Sequence, residues 1–158
     1  MKYQILILGN DGIWSKMTGF VLDNSVAMRW LLKTKKAVDQ QYAEDILDSL
    51  LDDGALVPNL WHLEATNVLL SAEKRDEISL GEIQGFVSQL ENLPILTDSM
   101  TSHQAFNRTL TLARAYKLSS YDAAYLELAI REGLPIGTLD RDLRKAAIKA
   151  DVEVFLVA

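Results

Sequence analysis

The segment LSSYDAAYLELA, residues 118–129, is the part of the sequence that most strongly indicates the fold. Its apolar residues recur with the period of an α-helix, about 100° per residue, and form a single stripe. Asp122 lies inside that stripe, whereas Glu127 is predicted to point into solvent on the opposite side. Either Ser119 or Ser120 is a suitable N-cap for this helix. A carboxylate on the apolar face of a helix needs a partner, because an unpaired buried charge is very costly.

Asp122 has two interpretations. In the first, it is an ordinary first-turn carboxylate that is stabilised by the helix dipole. In the second, it faces a polar pocket that it shares with other carboxylates. The rest of the sequence decides between the two.

The composition is that of one globular domain. The chain has 158 residues, of which 49% are apolar and 24% charged. The absence of cysteine excludes disulfides, thiolate zinc sites and a cysteine nucleophile, and it fits a cytoplasmic protein. A net charge of −6 argues against broad nucleic-acid binding, but it does not exclude a nuclease with a metal site. No apolar run approaches the ~18 residues of a membrane span, so no membrane association is expected.

The first residues differ from the rest of the chain. Residues 3–8 have the pattern of a strand, but glycines and polar residues at 9–12 interrupt it. We interpret residues 1–16 as an appendage, either added to the protein or produced by an upstream start, and residues 17–158 as the domain. The alternative is a genuine extra strand.

The rest of the chain alternates strand and helix patterns. Strands are predicted at 20–22, 55–58, 95–97, 135–139 and 152–157. Helices are predicted at 26–32, 37–52, 60–73, 79–90, 102–116, 120–132 and 141–150. This order predicts an α/β domain with a mainly parallel sheet, in which binding sites lie beyond the carboxyl ends of the strands.

Four acids are predicted to meet at that edge. Asp23 and Asp140 each follow a predicted strand, whereas Glu64 and Asp122 lie on apolar faces of helices. Four carboxylates cannot remain ionised together without a compensating charge, and a divalent cation is the natural one. Oxygen ligands favour Mg²⁺ or Mn²⁺ over zinc, and such a site binds phosphate and an attacking water.

The two histidines are poor candidates for ligands of this site. His62 faces away from Glu64, and His103 opens a different helix. Both are interpreted as surface or cap residues.

Four segments that contain these acids resemble, in order, the acidic motifs of PIN domains, and most closely those of VapC-type toxins. The segments are FVLDNS at 20–25, WHLEATN at 61–67, SYDAAYL at 120–126 and TLDRDL at 138–143. The resemblance extends over about residues 18–158. It implies a PIN-like three-layer sandwich, with a central, mainly parallel sheet of about five strands flanked by helices. It also implies a Mg²⁺- or Mn²⁺-dependent endoribonuclease, the toxin of a type II toxin–antitoxin pair, which acts on RNA through a metal-activated water and is inhibited by a cognate antitoxin.

The same resemblance implies supporting roles for neighbouring residues. Thr138 would support the site through its hydroxyl, Ser25 would lie near the first acid, and Asn67 would support Glu64. Asp142 is a possible fifth acid, although a solvated position in the first turn of its helix is the simpler interpretation.

Other functions are also compatible with parts of the pattern. A phosphoacceptor signalling domain could use Asp98 as its acceptor, but it gives no reason for acids on apolar helix faces. A haloacid-dehalogenase-type phosphatase would need a second aspartate at position 25, where the chain has Ser25. A PIN fold used only for RNA binding is the third alternative. Apolar residues in excess on helices 37–51 and 78–93, together with the resemblance, predict a homodimer.

Overall fold

The computed structural model describes residues 3–8, 12 and 14–157, so most of the predicted break at 9–12 lies outside the described residues. These residues form the predicted α/β fold around a mainly parallel sheet of five strands. Among the helices described, none has both the length and the apolar character needed to cross a bilayer.

The sheet brings together the strand ends that carry the predicted site. Its strands are β1 Gln4–Leu8, β2 Trp14–Leu22, β3 Asp53–Val57, β4 Ile95–Thr97 and β5 Ile136–Gly137. β2, β3 and β4 are parallel neighbours in that order, and β5 is parallel to the end of β2. The last residues of β2 and β5 are therefore adjacent, and the Asp23 amide donates to the Gly137 carbonyl at 2.9 Å.

β2 is the centre of the core. Phe20, Val21 and Leu22 are all fully buried, which confirms that this apolar run is covered on both faces. Parallel strands need such cover, because their crossover helices pack on both sides of the sheet.

The helices occupy nearly all of the predicted positions. They are α1 Asn24–Ala27, α2 Ala37–Ser49, α3 Trp61–Lys74, α4 Leu80–Glu91, α5 Thr101–Gln104, α6 Leu110–Tyr116, α7 Ser120–Glu132 and α8 Arg141–Lys149. A 3₁₀ turn, Met28–Trp30, follows α1, so the first predicted helix is shorter and tighter than expected. α4 begins with a capping box, in which the Ser79 side chain accepts from the Glu82 amide and the Glu82 side chain accepts from the Ser79 amide.

The prediction that Glu127 points into solvent is wrong. Every residue of α7 from Ala123 to Ala129 is buried, and Glu127 is only 1% exposed. One face of α7 packs on the sheet, and the helix formed by α5, the π-helical segment Ala105–Thr109 and α6 contacts α7 as well. Glu127 is buried in that second contact, where Arg131 donates to it from Nε at 2.9 Å.

The prediction of a strand at residues 152–157 is also wrong. Residues 152–157 form only a single parallel bridge, between Val154 and Ile136. The cause is the length of β5: it has two residues, because the chain then turns so that the Thr138 hydroxyl contacts Asp23. A strand of two residues offers few backbone groups with which residues 152–157 could pair.

Residues 4–8 of the predicted appendage take part in the sheet as β1, which is antiparallel to the first half of β2. The two strands approach closely, since a Cβ on Gly19 would lie 2.7 Å from the Ile5 side chain. This is the arrangement expected of the extra strand, and the origin of residues 1–16 stays a prediction.

Candidate active site

Asp23 is the most constrained of the four acids. It follows β2 directly and is only 5% exposed. Its Oδ2 accepts a hydrogen bond from the Ser25 hydroxyl and another from the Thr138 hydroxyl at 2.7 Å. These two donors fix the orientation of the carboxylate.

Thr138 connects the first and fourth acids. Its hydroxyl accepts from the Asp140 amide at 3.0 Å while it donates to Asp23. The Ser25 hydroxyl in turn accepts from the Leu139 amide at 3.0 Å. Asp140 caps α8, because its Oδ1 accepts from the Leu143 amide at 2.8 Å. The segment after β5 is thus tied to the segment after β2 through side chains at the edge of the sheet.

Asp122 combines both interpretations made from the sequence. It is in the first turn of α7, and its amide donates to Ser119, which is the N-cap, at 3.1 Å. Its side chain also lies close enough to Asp23 for its negative charge to raise the pKa of that group. The helix start therefore orients Asp122 toward the other acids.

Glu64 has a partner that the sequence analysis did not identify. The Tyr125 hydroxyl donates to Glu64 Oε1, and Tyr125 itself is fully buried. In the sequence, Tyr125 is recognisable only as one of the apolar residues in the stripe of α7. Its position, one helical turn after Asp122 on the same face, was the available signal.

The pKa values indicate that the four acids share one electrostatic environment. Burial, together with the charges of Asp122 and Asp140, raises the pKa of Asp23 to about 6. Burial also raises the pKa of Glu64, and the charges of Asp23 and Asp122 add to that effect. The pKa of Asp122 is raised by burial and then by Asp140 and Asp142. Each of these carboxyls is harder to ionise chiefly because it is buried, and further because its neighbours are negative.

The donor set fits a hard divalent cation. Among the described residues, none of the four acids forms an ion pair, so their mutual repulsion has no internal compensation. All of their ligand atoms are carboxylate oxygens, which suit Mg²⁺ or Mn²⁺. In the part of the chain that the structure describes, no three acidic or histidine side chains are already arranged to hold an ion. Binding a metal therefore requires rotation of side chains toward one another.

The remaining predicted residues have less direct relations to the acids. Asn67 is exposed, and the contact of Glu64 is with Tyr125 instead. Asp142 is exposed in the first turn of α8, although its charge reaches Asp122. His62 is exposed and packs edge-on against Trp61, and His103 is exposed on α5.

Asp98, the residue on which a phosphoacceptor site would depend, is engaged elsewhere. Arg131 donates to both of its carboxylate oxygens, at 3.1 and 2.8 Å. Asp98 also accepts from the Met100 amide at 3.1 Å, just before α5. This carboxylate belongs to an ion network with Glu127 and is not available as a free acceptor.

The sequence from Phe20 to Lys149, which includes all four acids, matches a family model described as PIN domain over residues 20–149. The chain belongs to the PIN domain family. PIN domains are generally nucleases that depend on divalent metal ions, so membership supports a hydrolase that acts on nucleic acids.

Solved structures are similar to this PIN domain. The crystal structure of PAE2754 from Pyrobaculum aerophilum has a TM-score of 0.58 and 20% identity, and the match covers 81% of this chain and 78% of that one. The crystal structure of FitAcB from Neisseria gonorrhoeae has a TM-score of 0.48 and 19% identity, with 86% of this chain and 96% of that one covered. Comparison with curated proteins gives no match.

Proposed function

We propose that this PIN domain is a Mg²⁺- or Mn²⁺-dependent endoribonuclease whose catalytic and metal-binding residues are Asp23, Glu64, Asp122 and Asp140. The observation that carries the proposal is the state of Asp23. This carboxylate is held by two hydroxyl donors, and its burial, with a smaller effect from the neighbouring acids, raises its pKa to about 6. A fold that keeps such a charge without a cation is destabilised by it, and a divalent ion relieves that cost.

The bound cation would supply positive charge at the scissile phosphate and a water acidic enough to act as nucleophile at neutral pH. The chain supplies the orientation. Ser25 and Thr138 fix Asp23, Tyr125 fixes Glu64, and the cap of α7 at Ser119 fixes the backbone from which Asp122 extends. Different elements therefore hold these acids near one another, and rotation of their side chains would bring the oxygens onto a bound cation.

Cleavage of a labelled single-stranded RNA tests this proposal. We expect products with Mg²⁺ or Mn²⁺ and none after chelation with EDTA. Activity that persists in EDTA would contradict the metal-dependent mechanism. Binding of the RNA without cleavage under any divalent ion would favour the alternative of a PIN fold that only binds RNA.

The toxin role is part of the proposal, and it rests on the likeness of the four motifs to VapC-type toxins. A cognate antitoxin would inhibit the enzyme in the cytoplasm. The acidic site and the sequence pI of about 4.9 would attract a basic segment, in which an arginine could bridge the carboxylates. An amphipathic helix of the antitoxin would dock in an apolar groove.

We expect Arg→Ala changes in that basic segment to restore RNA cleavage more than they weaken the complex, because the docked helix would hold most of the contact. Cleavage and affinity measured on the same complexes separate the two effects. If the inhibited complex binds Mn²⁺ as tightly as the free enzyme, the antitoxin does not act at the acids.

We also propose a homodimer. Support comes from apolar side chains that remain exposed on or just after α2 and on α4, with Leu51 85%, Val38 77% and Leu80 58% exposed. Burial of such residues between two copies is the usual way to remove them from water. Sedimentation equilibrium at tens of micromolar should give twice the mass of the chain, and a strictly monomeric mass would contradict the prediction.

A further inference from the structure

A cavity of about 470 Å³ lies directly beside the acids. Its walls are formed by seven residues: Asn24, Leu60, Leu63, Glu64, Asn67, Val68 and Tyr121. Three of these are attached to the acidic site, since Glu64 is one of its acids, Asn24 follows Asp23 and Tyr121 precedes Asp122. A chain of RNA whose phosphate lies at the acids would therefore bring a neighbouring nucleotide to this cavity.

Asn24 contributes a polar atom without a hydrogen-bond partner to the wall of the cavity. The residue is only 6% exposed, and its Oδ1 is buried without a hydrogen-bond partner. A buried acceptor that lacks a donor is unfavourable and calls for an explanation. The χ2 torsion of asparagine rotates easily. The Asn24 amide can therefore present either its oxygen, as an acceptor, or its nitrogen, as a donor, to a group bound in the cavity.

The other walls suit a flat group with an apolar face and a polar edge. Tyr121 is 61% exposed, so its ring is free to stack on such a group. Leucine and valine side chains form the apolar part of the wall, and the amide of Asn67 adds a second group that can read a polar edge. Aromatic stacking combined with amide contacts is how proteins bind unpaired bases.

The charge of the residues that line the cavity indicates which chemical groups it can bind. Among the described residues that line it, Glu64 alone is charged, so the cavity disfavours a phosphate and favours hydrogen-bond donors. We infer that this cavity binds a nucleobase next to the cleaved phosphodiester, and that it prefers a base with an exocyclic amino group over uracil. This inference rests on the proposed ribonuclease function for its choice of RNA.

Binding measured without cleavage tests the inference. The variant Asp122→Asn, in which we expect no cleavage, is titrated against fluorescent hexamers of cytidine and of uridine. The two hexamers are a matched pair, because both bases are pyrimidines of similar size and stacking that differ only on one edge, where cytosine has an amino group and an N3 acceptor and uracil has a carbonyl and an N3–H donor. We expect about tenfold tighter binding of the cytidine hexamer. Adding Tyr121→Ala or Asn67→Ala should weaken binding of the cytidine hexamer and reduce the difference.

Matched controls are available on the helix that follows β4. Phe106 is an exposed aromatic residue and Asn107 an exposed asparagine, and neither lines the cavity. Phe106→Ala and Asn107→Ala in the same background should leave the preference unchanged. Equal binding of the two hexamers, no binding of either, or a preference that survives both cavity variants would overturn the inference. The last result would show that the base is bound outside the cavity.

The outcome is separable from that of the proposed function. If the unmodified chain cleaves RNA but the Asp122→Asn variant shows no base preference, the ribonuclease stands and the base pocket does not. If the base preference is present and the unmodified chain cleaves nothing, the pocket stands and the catalytic proposal fails.

Discussion

Replacing Asp23 by asparagine should lower RNA cleavage at least about a hundredfold while the fold is retained. The asparagine would keep the shape of the side chain and could still accept from Ser25 and Thr138, but it would remove the negative charge that a cation requires. Asp122→Asn should have the same effect. Asp48→Asn, at an exposed position on α2, is the matched control and should cleave normally. Undiminished cleavage by both site variants would contradict the assignment.

The Asp23→Asn variant should also be more stable than the unmodified chain when no metal is bound. Burial raises the pKa of Asp23 from 3.8 to about 6, so the folded state favours the protonated form. The stability that this group contributes is complete below about pH 4 and is lost as the pH rises through 6. At pH 7 ionised Asp23 therefore costs about 3 kcal/mol, and Asp23→Asn should recover a large part of it.

Urea denaturation between pH 4 and 8 checks this expectation. The unmodified chain should lose stability relative to Asp23→Asn as the pH rises through 6, and saturating Mn²⁺ should reverse the order at pH 7. A constant difference between the two chains across this range would show that Asp23 does not titrate as described.

Replacing Arg131 by methionine should destabilise the fold by about 3–5 kcal/mol. Arg131 contacts Asp98 through both of its terminal nitrogens, and its Nε contacts Glu127. Asp98 is 9% exposed and Glu127 is 1% exposed, so loss of the guanidinium would leave two buried carboxylates without an adequate partner. Chemical denaturation gives the free energy of unfolding directly.

Two further variants separate this network from a general effect of losing an arginine. Arg75 pairs with Glu77 at the surface, and Arg75→Met should change stability little, because exposed ion pairs contribute little. Combining Arg131→Met with Asp98→Asn and Glu127→Gln should restore much of the lost stability, because the buried charges are then gone. An effect of Arg131→Met below about 1 kcal/mol would contradict the role of the network.

The sequence predicted the parts of this molecule that depend on local pattern. The helical period and the bounds 120–132 of α7 follow from the sequence and are confirmed, and of the two serines predicted as caps the structure uses Ser119. The strand at Ile95–Thr97 was also predicted with its observed bounds. Two of the acids, Asp23 and Asp140, could be grouped from sequence because parallel strands end at one edge of the sheet.

What the sequence did not predict depends on contacts between distant segments. The burial of Glu127 follows from a second helix that packs against α7, and the period of α7 alone carries no information about that helix. The hydroxyl of Tyr125 reaches Glu64, 61 residues away in the chain. β5 ends after two residues because the chain turns toward Asp23, and the last predicted strand then forms only one bridge to it, so an apolar run overestimates the length of both.

The central claim is that the acidic cluster holds a divalent ion. Electron paramagnetic resonance of free Mn²⁺, titrated with the chain at pH 7, measures this directly. We predict one or two bound ions for the unmodified chain and at least about tenfold weaker binding for Asp23→Asn, since a carboxylate ligand is lost. Equal Mn²⁺ affinity in the two chains, or no binding by either, would contradict the account.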